Sequence, residues 1–306
     1  MIRRIANYLS LIKFSHTIFA MPFALIGFSL ALKVWEPYVD PSDPYKSEAG
    51  DWIAMRTIPV KFILVILCMI FARSAAMAFN RWLDAKYDAL NPRTAVREIP
   101  SGVITGKNAL MFVIINCVAF IICTWFINLL CFYLSFVALF VILFYSYTKR
   151  FTPLCHLVLG VGLSLAPIGA YLAVTGSFDL LPVLFSFTVL FWVSGFDIIY
   201  ALQDEEFDKA QNLKSIPAAL GKKNALRVSE LLHVLSATMV IYAGIYGHFH
   251  FLYWIGVSVF LSLLIYQHTL VKPNNLSKVN LAFATTNGVA SVIFCLFVLT
   301  DLFINK

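Results

Sequence analysis

Asn80, Asp84 and Asp88 recur four residues apart at the end of a long apolar segment. On an α-helix that spacing stacks three oxygen-bearing side chains on one face. Two carboxylates a turn apart repel each other, so the arrangement makes sense if a cation sits between them. A helix end that has simply reached water is the plainer account of this stretch taken alone. A second stretch weighs against it. Asp204 and Asp208 are again one turn apart, and Asp197 lies two turns before Asp204, within an apolar run. A bare Asp at the centre of a membrane helix costs about 2.5–3.5 kcal/mol, so it needs a partner or a wet cavity. Arg73 is the matching oddity, two turns before Asn80 and on the same face. An Arg73–Asp197 ion pair is the structural alternative to a functional role for either residue.

Hard oxygen ligands in pairs suit Mg2+, which favours carboxylates together with the oxygens of a phosphorylated substrate. Arg93, Arg97 and Lys149 lie on the same side of the chain's topology and suit phosphate. Carboxylates and phosphate-binding cations together imply a metal bridging two negative partners. A cavity open to lipid would admit an isoprenoid tail, with the metal holding its diphosphate. The allylic cation left behind needs aromatic faces, and Tyr145, Tyr147 and Tyr200 fall near the right membrane level.

Composition says what must position these groups. The chain has 306 residues, of which 60% are hydrophobic and 13% charged, against about 25% charged in a soluble protein. Mean hydropathy is +0.83. These values exclude a soluble globular protein and indicate an all-α, polytopic membrane protein read as one domain over 1–306. A bilayer core of ~30 Å needs about 20 apolar residues per helix. Nine segments meet that rule, at 14–34, 59–83, 108–127, 130–148, 153–174, 180–203, 227–246, 249–270 and 279–302. The first, with Arg3, Arg4 and Lys13 before it, reads as a retained helix and not a cleaved signal.

The formal charge of +7 reads as topology, with no nucleic acid and no protein partner implied. With the N-terminus inside, the inner loops collect most of the lysines and arginines. The outer side keeps only Lys33, Lys46, Arg56, Lys61 and Lys306. This positive-inside pattern puts the acidic stretches on the cytoplasmic side of a bacterial-type inner membrane. Two inner loops, 84–107 and 204–226, are long. The outer loop 35–58, acidic and proline-rich, reads as an irregular cap.

The two inner loops echo each other. Asp84-x3-Asp88, Ile99-Pro100 and Gly106-Lys107-Asn108-Ala109-Leu110 match Asp204-x3-Asp208, Ile216-Pro217 and Gly221-Lys222-Lys223-Asn224-Ala225-Leu226. Asn108 and Asn224 stand where they would cap the following helices. The copies lie four helices apart, as a parallel repeat requires. That brings two acidic helix ends opposite each other around a shared cavity.

Taken together, these motifs resemble the UbiA superfamily of intramembrane aromatic prenyltransferases. The matching pieces are Asn80-x3-Asp84-x3-Asp88, then Asn91-Pro92-Arg93-Thr94-x2-Arg97-x-Ile99-Pro100-Ser101-Gly102, then Tyr145-x3-Lys149, and Asp197-x2-Tyr200-x2-Gln203-Asp204-x3-Asp208. The closest likeness is to the 4-hydroxybenzoate polyprenyltransferase-like branch. Ile12-Lys13-Phe14-Ser15-His16-Thr17-x-Phe19-Ala20-x-Pro22-Phe23-Ala24-Leu25 is similar to a subgroup associated with menaquinone made through a naphthoic acid.

The resemblance implies that Asn80, Asp84, Asp88, Asp204 and Asp208 hold Mg2+ and, through it, a polyprenyl diphosphate. It implies that Arg93, Arg97 and Lys149 bind diphosphate oxygens, that Tyr145 steadies the allylic cation, and that Arg73 takes the carboxylate of an aromatic acid. Asp197 would orient that acceptor or accept a proton. Asn80 is followed by Arg81 where some members carry Asp, so Arg81 is given no metal role.

An ion-coupled transporter is the alternative from another class, because intramembrane carboxylates also mark ion pathways. Transport sites lie near the midplane on broken helices, whereas most of these aspartates sit at inner helix ends. The remaining residues take plainer readings. The six cysteines read as small buried apolar residues. His16 reads as helix packing, and His156, His248 and His250 as interfacial. Pro22 and Pro167 read as kinks, with Gly160, Gly162 and Gly169 allowing close packing. The 28 phenylalanines read chiefly as lipid-facing bulk.

Overall fold

The computed structural model describes residues 2–12, 20–34 and 44–304. His16, residues 13–19 of the subgroup motif and residues 35–43 of the outer loop lie outside them. The described residues are almost entirely helical: α1 Ile2–Leu11, α2 Met21–Val34, α3 Pro44–Leu83, α4 Ala85–Leu90, α5 Gly106–Ile127, α6 Leu129–Thr148, α7 Cys155–Thr175, α8 Leu180–Ala201, α9 Glu205–Ala210, α10 Ile216–Tyr246, α11 Phe251–Leu270 and α12 Asn287–Ile304. A 3₁₀ turn joins α8 to α9, and a π-helical stretch, Leu281–Thr286, leads into α12.

Among the described residues, eight helices are long and apolar enough to cross a membrane. The ninth expected span overlaps α2, which is apolar but only 14 residues long as described. The protein is a multi-pass membrane protein of the expected class.

Neighbouring helices pack in the order α3, α5, α6, α7, α8, α10, α11, α12, with α2 set between α12, α3 and α7. Burial separates two kinds of helix. α8 and α12 carry wide buried faces, whereas α5 and α6 leave Trp125, Phe126, Tyr133, Phe136 and Phe140 exposed, as lipid-facing helices do. The phenylalanine expectation holds there and fails in the centre. Phe23, Phe185, Phe260 and Phe294 are fully buried around Trp192, because large rings fill the space where several helices meet. Trp192 Nε1 donates to Asn287 Oδ1 at 3.0 Å and Gln267 Nε2 to the same oxygen at 2.7 Å, satisfying polar groups that lipid cannot.

Gly160 sets the approach of α7 to α8. A Cβ there would lie 2.5 Å from the Leu190 carbonyl oxygen. Gly162 and Gly169 meet no such backbone and are not needed for close packing.

Helix starts differ from expectation in three places. Residues 44–58, read as part of an irregular cap, belong to α3, since Pro44 tolerates a first-turn position. Thr105 caps α5 by accepting from Asn108 N, so Asn108 is the donor at N3 and not the cap. Ser215 caps α10 through Ala218 N, and Asn224 lies inside that helix. Gly221, at φ 75° and ψ 163°, breaks the helix between them. Such a φ is open to glycine at little cost.

Candidate active site

The first acidic motif rides on the end of α3 and the short α4. Asp84 N donates to Asn80 O at 2.9 Å and Asp88 N to Asp84 O at 2.8 Å, so helical turns continue across the junction and the three side chains stay on one face. Asn80 Nδ2 lies 3.3 Å from Asp84 Oδ2. The second motif sits where α8 tightens into its 3₁₀ turn and passes into α9.

The two motifs meet. Lys149 and Arg150, adjacent residues at the end of α6, reach one aspartate of each. Lys149 Nζ lies 2.7 Å from Asp208 Oδ1, and Arg150 Nη2 lies 2.9 Å from Asp84 Oδ1. The loop after α4 closes the circle. Asn91 Nδ2 donates to Asp204 Oδ1 at 3.2 Å, and Arg93 pairs with Asp204 Oδ2 at 2.5 Å. Arg93 Nη1 also donates to Tyr200 Oη at 2.9 Å. Arg97 Nη1 holds Asp88 Oδ1 at 2.7 Å. Four aspartates from two distant stretches are thus gathered with four cations at one end of the bundle.

Asp208 is fully buried and is bonded a second time by Ser215 Oγ at 2.8 Å. That hydroxyl also caps α10, so the start of α10 is tied to the acidic cluster. The electrostatics follow the pairing. Burial alone would lower the Lys149 ammonium's pKa, but the Asp208 carboxylate beside it raises it above the ordinary value. Burial likewise disfavours the charged Arg93, yet Asp204 and Tyr200 leave its pKa raised. Burial pushes the Asp84 carboxyl up, and Arg150 offsets part of that.

Deeper along the same faces lie the residues expected to handle an acceptor. The Arg73–Asp197 ion pair does not form. Asp197 Oδ2 instead lies 2.7 Å from His156 Nδ1. His156, expected at the interface, is buried with 3% exposure, and its Nε2 faces the Ile216 backbone N–H at 3.4 Å. A backbone donor on Nε2 places the imidazole proton on Nδ1, directed at Asp197. Arg73 Nε is buried without a hydrogen-bond partner among the described residues. Tyr145 lies within electrostatic reach of Arg73, Asp84 and Asp197.

The sequence reading overlooked four partners here. Arg150 had a signal in its adjacency to Lys149, and Asn91 in its place within the Asn91–Gly102 motif. His156 and Ser215 had none, because their aspartates are brought to them by tertiary packing.

Among the described residues, no three His, Cys, Asp or Glu side chains converge as a metal cage. Mg2+ does not need one. It binds through one or two carboxylates and takes the rest of its shell from substrate phosphate and water. Asp88 Oδ2 is buried with no hydrogen-bond partner among the described residues, the kind of hard oxygen such an ion would satisfy. The donor set therefore fits the metal.

Comparison with known proteins gives the family and the fold. The model of the UbiA prenyltransferase family matches residues 49–297. A 4-hydroxybenzoate octaprenyltransferase of Nitrosomonas europaea is 32% identical over 257 residues, covering 83% of this chain and 87% of that protein. The protein of the same name from Francisella tularensis subsp. novicida is 28% identical over 237 residues, covering 78% and 83%. The apo structure of a UbiA homologue from Aeropyrum pernix K1 superposes with a TM-score of 0.78 at 28% identity, covering 94% of this chain and 98% of that one. A UbiA homologue from Archaeoglobus fulgidus, solved bound to DMAPP and Mg2+, shares the fold with a TM-score of 0.68 at 19% identity, covering 97% and 99%. With its two acidic motifs drawn together and most of its length matched, this membrane enzyme belongs to the UbiA prenyltransferase family.

Proposed function

We propose that the protein transfers a polyprenyl group from its diphosphate to 4-hydroxybenzoate, on the ring carbon ortho to the hydroxyl, in membrane quinone biosynthesis. The observation that carries this reading is the Lys149–Arg150 pair, which binds one aspartate of each motif. It puts phosphate-binding cations and hard carboxylates within one cluster. The names of the relatives support the aromatic acid.

In this reading Asn80, Asp84, Asp88, Asp204 and Asp208 hold Mg2+. When bound, it supplies countercharge to the diphosphate and helps it leave. Arg93, Arg97 and Lys149 exchange their aspartates for diphosphate oxygens as donor binds. The bond between the prenyl C1 and oxygen breaks with its electrons passing to pyrophosphate. Tyr145 presents its ring to the allylic cation. Arg73 offers its unpaired Nε to the acceptor carboxylate, which orients the ring. The new carbon–carbon bond forms, and Asp197, aimed by His156, takes the displaced ring proton. The site faces the cytoplasm of a bacterial plasma membrane, consistent with the distribution of lysines and arginines. Membrane lipid and the two substrates are the only partners this chemistry asks for.

A dihydroxynaphthoate is the second reading, favoured by the subgroup likeness of residues 12–25. It offers Arg73 the same carboxylate and differs by one ring. Purified protein in nanodiscs, given Mg2+, a polyprenyl diphosphate and each acid in turn, decides by mass spectrometry of the product. A prenylated 4-hydroxybenzoate with pyrophosphate release is the expected result. Product from the naphthoate alone selects the second reading, and product from neither acid rejects both.

A further inference from the structure

Arg81 stands beside the acidic cluster and nothing in the reading above uses it. It is 5% exposed, and its Nη1 is buried without a hydrogen-bond partner among the described residues. A buried donor left without an acceptor is unfavourable. The ionisable groups close enough to act on it are Arg97, Asp88, Glu98 and Tyr200. Two of these also carry buried oxygens without partners among the described residues, Asp88 Oδ2 and Glu98 Oε2. The rest of each group is already engaged: Asp88 Oδ1 by Arg97, and Glu98 Oε1 by Ser10 Oγ at 2.5 Å. The fold therefore leaves a buried guanidinium donor and two buried carboxylate oxygens with hydrogen-bonding capacity unused, within electrostatic reach of one another and of Arg97, which is itself held on Asp88.

Two guanidiniums that feel each other's charge repel unless an anion is shared between them, and their planar forks match phosphate oxygens in pairs. We propose that Arg81 and Arg97 together clamp the distal phosphate of the prenyl diphosphate, the end that departs as pyrophosphate, with Asp88 Oδ2 left to the metal. The inference rests on the diphosphate reading above and adds a residue to it. The depth of the groups separates this anion from the acceptor's carboxylate. Arg73, with its free Nε, is two turns further into the span and keeps company with Tyr145. Arg81 keeps company with Asp88 and Arg97 at the end of the bundle.

The test uses full-length protein in nanodiscs, with inorganic pyrophosphate and Mg2+ as the probe and thermal stabilisation as the readout. Wild-type protein is expected to be stabilised. Arg81→Gln is expected to need about ten-fold more pyrophosphate, or higher, for the same shift, the scale of a lost charge-assisted bond. Arg81→Lys, a point charge without the fork, falls between. Without ligand, Arg81→Gln is expected to melt close to wild type, because the buried Nη1 it loses has no hydrogen-bond partner among the described residues, whereas a structural arginine would cost stability. In turnover, the KM for donor rises and the KM for the aromatic acid does not.

Equal pyrophosphate dependence in wild type and Arg81→Gln overturns the clamp while leaving the diphosphate reading intact. A rise confined to the acceptor KM overturns it in favour of a carboxylate. If Arg81→Gln does not fold, the Arg81→Lys titration decides, and a curve identical to wild type overturns the proposal. Wild-type protein that is not stabilised by pyrophosphate removes the diphosphate reading, and the clamp with it.

Discussion

The two acidic motifs share a spacing and differ in how they are held. In the second, each aspartate is tied to a group remote in sequence: Asp197 to His156, Asp204 to Asn91 and Arg93, and Asp208 to Lys149, with the nearer Ser215 adding a bond. In the first, Asp84 leans on Asn80 and Arg150, and Asp88 on Arg97, with its second oxygen unpartnered among the described residues. The second motif is clamped by its surroundings, and the first is built from one helix face with room left in it. A binding site assembled from a rigid half and a less committed half can fix one ligand position while admitting an ion and a phosphate at the other. Arg81 and its unused donor lie on the less committed side.

Both halves are needed, so removing a carboxylate from either gives the largest effect. Asp84→Ala and Asp204→Ala are each expected to lower pyrophosphate release by about 10³-fold or more, since a metal contributes several kcal/mol of charge stabilisation. Coupled phosphate detection in nanodiscs measures it, and full turnover in either variant would break the symmetry of roles.

The difference in clamping reads out next as stability. Lys149→Met leaves Asp208, which is fully buried, without its counter-ion. The cost of breaking a buried pair is about 3–5 kcal/mol. Arg93→Met breaks a pair whose aspartate keeps 13% exposure and should cost less. Unfolding of the two variants in the same detergent gives the comparison, and equal losses would mean that the second motif is not anchored chiefly through Asp208.

Two smaller effects probe the deep end. Arg73→Gln should raise the acceptor KM by about ten-fold or more, with the donor KM unchanged, as a lost hydrogen bond to a carboxylate does. His156→Ala should lower kcat by about ten-fold, the low end for a residue that orients another. His156→Asn should recover part of the loss, because its amide N–H can stand in for Nδ1. Recovery by Asn, with substrate KM values unmoved, separates the aiming of Asp197 from simple packing.

Much of this was legible in the chain. Apolar segment length dictates the spans, because a bilayer leaves the backbone no other way to satisfy its hydrogen bonds. The i, i+4 spacing of Asn80, Asp84 and Asp88 dictates a shared face wherever a helix forms, and the structure keeps it through the α3–α4 junction. Helix caps were less legible. Thr105 and Ser215 took positions for which Asn108 and Asn224 also qualified, since several polar residues near a helix start compete and the backbone path chooses.

The amino-acid order by itself determined a polytopic helical membrane protein with two acidic helix ends and a surplus of cations beside them. Those properties depend on hydropathy and on the pitch of one helix, both of which are local. Only the tertiary structure decided which cation meets which carboxylate. It sent Asp197 to His156 in place of Arg73, joined Lys149 and Arg150 to separate motifs, and left Arg81 Nη1 without a partner among the described residues. Helices brought together by packing in lipid choose partners by crossing position and depth, and neither is written in the spacing along a single segment.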